Sequence, residues 1–176
     1  MSSKLKLQCF EYLVHKILEW DMHNCGGAYR YSLTKLKLQK LLFLVAASQA
    51  SNENHYLLSV FNNFYAMGNG PVESDVYNAM LNNKFRSIYF SGRIMSVAEA
   101  SPQESLESRY KFMVDSAFDF LLKQNPEIIK YNASRLVEIT HKWYAWQAAI
   151  SIADALGKGS VKMKMEDICS NTKFYR

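Results

Sequence analysis

Leu33-Thr34-Lys35-Leu36-Lys37-Leu38-Gln39-Lys40-Leu41-Leu42-Phe43 is the stretch on which the fold turns. Its first six residues alternate apolar and polar, as a half-buried strand does. The continuation breaks that period: Leu38, Leu41, Leu42 and Val45 step by three and four, which is helical. Thr34 is a residue type that accepts a backbone N–H at a helix start. The stretch therefore reads as a helix over 33–49 with Thr34 as its N-cap. Its wide apolar side places it near the centre of the core. Lys37 and Lys40 share a side opposite Leu38 and Leu42 and read as a solvated face.

Upstream, Leu7, Phe10, Val14, Ile17 and Leu18 give one apolar stripe and predict a helix over 4–22, broken by Cys25-Gly26-Gly27. Downstream, 56–64 fits a short helix or a strand. Gly68-Asn69-Gly70-Pro71 is a turn, and Pro71 suits the first position of a helix that ends at Asn82-Asn83. Glu73 and Asp75 then face the positive end of that helix. The β-formers Phe85, Ile88, Phe90 and Ile94 allow a small hairpin within 84–100. Ser101, Pro102 and Glu104 form a capping box for a helix running to about Gln124. Asn132 caps another, and a last helix over 143–156 stops at Gly157. Residues 160–165 alternate and read as extended, before a turn at Glu166-Asp167-Ile168. The expectation is an all-α fold, a compact bundle of about six helices with room for a small β-hairpin. At 176 residues it is expected to be a single domain over 1–176.

Gly and Pro together make ten residues, about half the usual share, which argues against disorder and turn-rich sandwiches. Three unevenly spaced cysteines, Cys9, Cys25 and Cys169, do not form a disulfide framework, so a cytoplasmic location is expected. No signal peptide is read at the N-terminus. The longest apolar run, 41–47, is far short of the roughly 20 residues a bilayer span needs. The net charge of +5 permits an acidic partner without demanding one.

No constellation for catalysis stands out, and no enzyme is expected. His141 sits in Thr140-His141-Lys142-Trp143 with no nucleophile motif near it. Cys9, His15, His23 and Cys25 lack the tight pairs of a zinc site, and Cys9 reads as a buried thiol; no metal or cofactor is expected. Arg30, Lys35, Lys37 and Lys40, beside Tyr29 and Tyr31, are the best argument for nucleic acid. A solvated helix face explains them more simply, so nucleic acid is not the expected partner. Trp143, Tyr144 and Trp146 read as mostly core, with any exposed member marking a protein interface.

Three segments together resemble one family. They are Leu33 to Phe43; Ala66-Met67-Gly68-Asn69-Gly70-Pro71-Val72 with Val76-Tyr77; and Leu136-Val137-Glu138-Ile139-Thr140-His141 followed by Trp146. In this order, over about 5–170, they resemble the Panacea domain, the SocA-like antitoxin domain of phage-associated proteins. Met67, Asn69 and Ala145 stand where that family has Trp, an aromatic and Pro. The resemblance implies a helical antitoxin that neutralises a cognate toxin by direct contact, often encoded in or near a prophage. It also leaves open a proteolytic adaptor that hands its toxin to a Clp-type protease, or an interaction protein with no toxin. No catalytic residue comes with it. It singles out Thr34, Lys37, Gln39, Lys40, Gly70, Pro71, Val72, Tyr77, His141 and Trp146 as structural or partner-binding positions. Gly70-Pro71-Val72 would set a sharp turn into a helix. Lys37 and Gln39, or Lys40, would reach backbone carbonyls or an acidic partner, and His141 with Trp146 would close the last helix against the turn. Shared motifs report packing before they report a partner.

Overall fold

In a computed structural model that describes residues 3–92, 94–97, 106–170 and 172–176, the chain is built around one helix. That helix, α2 (Lys35–Ser48), starts as its sequence asks: Thr34 Oγ1 accepts from the Lys37 N–H at 3.2 Å. Every residue from Lys37 to Ser48 is buried. Four leucines of α2 are at most 1% exposed, and burying each contributes about 2 kcal/mol of gross hydrophobic stabilisation. The expected solvated face does not exist. α1 (Ser3–Cys25) packs on one side of α2, and other elements close the rest.

A hairpin follows. β1 (Phe64–Met67) and β2 (Gly70–Glu73) pair antiparallel, with Phe64 opposite Glu73 and Met67 opposite Gly70. The preceding Tyr56–Ser59 is a 3-10 turn, so the 56–64 stretch holds a short helical turn and the start of a strand. Pro71 does not open a helix: it sits in β2, an edge strand, where its missing N–H costs no ladder bond on the open side. α3 (Ser74–Leu81) begins three residues later, with Glu73 as its N-cap. Next come β3 (Ile88–Ser91) and β4 (Ile94–Val97), the hairpin expected in this region. An isolated bridge ties Ile94 to Thr34.

α4 (Ser108–Gln124) is described from Ser108, after the non-helical Leu106 and Glu107; the Ser101–Glu104 capping box lies outside the described residues. Asn132 caps α5 (Ala133–His141) by accepting from the Arg135 N–H at 2.9 Å. α6 (Tyr144–Ala155) follows at once and stops before Gly157, whose φ of +61° ends it. β5 (Val161–Lys162) adds to the free edge of β1, giving the order β2-β1-β5, and α7 (Met165–Ser170) completes the chain of elements. The described residues thus hold seven α-helices with two small antiparallel sheets. One cluster of buried apolar side chains runs from Cys9 to Cys169.

Candidate functional site

The tip of the β1–β2 hairpin is held against α2, α5 and α6 by polar groups that are almost fully buried. Gly70 has φ +92°, and a Cβ there would lie 2.7 Å from Thr140 Oγ1 and 3.1 Å from Lys40 Nζ. Only glycine fits that approach. Lys40 is fully buried and donates to the Pro71 carbonyl at 2.5 Å. Burial pulls its ammonium down to a pKa of about 7. Gln39 Oε1 accepts from the Glu73 N–H at 2.8 Å, so the two side chains adjacent in α2 fix successive points of β2.

Glu73 is 0% exposed and does three things. Its Oε2 accepts from the Val76 N–H at 2.9 Å, capping α3. Its Oε1 accepts from the Asn63 N–H and, at 2.6 Å, from Lys6 Nζ. Lys6 also donates to Asp75 at 2.5 Å. Burial pushes the Asp75 carboxyl up, but Lys6, Asn63 and Lys162 outweigh it and hold the group below its usual range. On the other flank, His141 stacks on Trp146 with 3.7 Å between ring centroids and 8° between planes. Trp146 Nε1 donates to the Met67 carbonyl at 3.0 Å. Burial and the nearby Lys40 charge lower the His141 pKa, against a backbone interaction with Gly68. Its Nε2 has no hydrogen-bond partner among the described residues.

Above this network the molecule opens into a groove of about 640 Å³. Thr34, Lys35, Leu36 and Gln39 line it from the α2 side and Met67, Gly68, Asn69 and Val72 from the hairpin, with Tyr77 of α3 and Ala133 of α5 completing the lining. The structure thus brings Thr34, Gln39, Val72 and Tyr77 to the groove and sets Lys40, Gly70, Pro71, His141 and Trp146 beneath it. Lys37 does not join them. It is 1% exposed and donates to Ser32 Oγ at 2.9 Å, with Nζ 5.6 Å from the Tyr29 ring centre. Burial lowers its pKa to about 8, with Asp21 opposing.

Two of the four cations in the 30–40 stretch are therefore internal, which corrects their reading as a solvated basic face. Cys9 is buried in the core, where burial pushes its thiol up to about 12. Among the described residues no group of three or more His, Cys, Asp or Glu comes together to hold a metal. Trp143 is fully buried and Trp146 half-buried, while Tyr144 is exposed. Sequence reasoning missed Leu36, Met67, Asn69 and Ala133 as groove walls. It read Glu73 only as a charge near a helix end, and nothing in the sequence pairs Glu73 with Lys6.

No curated protein and no solved structure matches this chain. A family model described as "Antitoxin SocA-like, Panacea domain" matches residues 38–147, which include Lys40, the hairpin and the His141–Trp146 stack. With more than half its length matched, the chain belongs to the SocA-like antitoxin, Panacea domain family.

Proposed function

We propose that the protein is the antitoxin of a toxin–antitoxin pair and neutralises its toxin by direct contact, one segment of the toxin seating in the groove between α2 and the β1–β2 hairpin. One observation carries this reading. Segments nearly 30 residues apart in sequence, Thr34 to Gln39 and Met67 to Tyr77 (28 positions from Gln39 to Met67), meet as the walls of a single open groove. Their inner atoms are consumed by packing, while their outer atoms remain available. Apolar walls with a few polar groups are what an anchor side chain of a partner needs. A stable complex requires about 800 Å² per partner, so the toxin contacts more than the groove.

The mode of action is stoichiometric covering of a toxin surface in the cytoplasm, with no bond-breaking chemistry of its own. Among the described residues no helix is long and apolar enough to cross a membrane. The test co-expresses the protein with the product of the neighbouring gene, after that product alone is shown to arrest growth. Wild type restores growth, and Leu36→Glu, which places a charge in the groove wall, fails to do so while keeping the wild-type melting curve. Restoration without co-purification of the two proteins, or undiminished rescue by Leu36→Glu, overturns the reading. A shortened toxin half-life on co-expression identifies delivery to a Clp-type protease in place of sequestration.

A further inference from the structure

α6 covers β1 and β5 with one side and leaves the other open. On the open side, Tyr144, Ala148, Ile152 and Leu156 recur at four-residue steps and so lie in one row. Tyr144 is 55% exposed, Ile152 46% and Leu156 59%. The row is about 18 Å long, at 1.5 Å per residue. Nothing among the described residues covers it, although a soluble helix normally turns such a stripe inward. The matched family segment ends at Gln147, one turn into α6, so most of the row lies beyond what the family shares.

Charge decides what fits there. α6 contains one charged residue, Asp154. Exposed lysines stand at both ends of the row: Lys142 before Tyr144, then Lys158, with Lys162 on the adjoining β5. A second copy of the chain would set these ends against like ends in a parallel pair, or Lys142 against Lys158 in an antiparallel one. Both arrangements oppose cation to cation, which is destabilising. A helix with an apolar stripe and acidic residues at its ends meets both requirements. The small Ala148 lets such a helix approach to a normal packing distance of roughly 8–10 Å.

We propose that the outer face of α6 docks an amphipathic helix of the toxin whose apolar stripe is flanked by Asp or Glu, and that this contact, outside the shared family segment, selects the toxin. The inference rests on the antitoxin reading above.

The test uses the full chain and the neighbouring gene product, once wild type is shown to neutralise it. If wild type does not neutralise it, the antitoxin reading fails, and this proposal with it. If wild type does, Ile152→Glu/Leu156→Glu is expected to weaken binding by about 100-fold, as removal of central anchors does. The double variant keeps the wild-type melting curve because both side chains are exposed. Lys158→Glu slows association by about tenfold at low salt and much less at high salt. Hydrogen exchange in the complex shows protection over 144–156 of this chain and over one helix of the toxin. Wild-type affinity in the double variant, protection confined to the groove, or a salt-independent Lys158→Glu would overturn the proposal. So would a dimer of the free protein in sedimentation that the double variant abolishes.

Discussion

α2 and α6 are both rich in apolar residues, yet they end in opposite environments. α2 carries lysines at 35, 37 and 40 and is enclosed from Lys37 onward. α6 carries one acid in twelve residues and leaves a row of large apolar side chains in water. Helix polarity therefore does not set burial here; the number of neighbours does. α1, α3, α4, α5 and β2 surround α2, whereas α6 lies at the edge of the structure over β1, β5 and α7. The enclosed helix accepts cations because each has a partner at the right distance, Pro71 O for Lys40 and Ser32 Oγ for Lys37.

Substitutions sharpen this contrast. The largest effect is expected from Lys40→Ala, which leaves a cavity and an unpaired Pro71 carbonyl. Chemical denaturation should show a loss of about 3 kcal/mol. Next comes pH. Between about 7 and the usual 10.5, the unfolded chain keeps a proton on Lys40 that the folded chain has released. Stability therefore rises with pH in that window, and below it the folded state carries a buried charge. Wild type should gain on Lys40→Met by about 1 kcal/mol per pH unit from 7 to 9, and an unchanged difference would show that Lys40 titrates normally. Thr34→Ala removes the α2 cap and should cost about 1 kcal/mol by the same measurement. Smallest of all, Ile152→Glu on the open side of α6 should shift stability by less than about 0.5 kcal/mol. A charge introduced into an apolar row would then matter less than a hydrogen-bonded amine removed from the core. A loss above 2 kcal/mol for Ile152→Glu would mean that the row is packed in the folded chain.

The local signals were legible where a single residue type suffices. Thr34 and Asn132 cap as their chemistry requires, Gly157 takes the left-handed conformation, and the hairpin expected within 84–100 forms from β3 and β4. Pro71 misled because its fixed φ suits both a helix start and an edge strand, and only the pairing with Ala66 distinguishes them. The lysines of α2 were unreadable for another reason. Helical spacing tells which residues share a side, not how many sides are covered. The groove was half legible: its motifs are in the sequence, but the walls contributed by Leu36, Asn69 and Ala133 exist only once the hairpin is set against α2 and α5.

The ion pair of Lys6 with Glu73 joins positions 67 apart. α3 has eight residues, too few to persist alone in water, and its first turn depends on the carboxylate that Lys6 neutralises. The Val76 amide, which Glu73 Oε2 caps, is therefore tied through Lys6 to the N-terminal helix, and its release breaks a buried ion pair as well as a helix cap. A short peripheral helix, whose Tyr77 lines the groove, thus has its first turn anchored to a residue near the start of the chain.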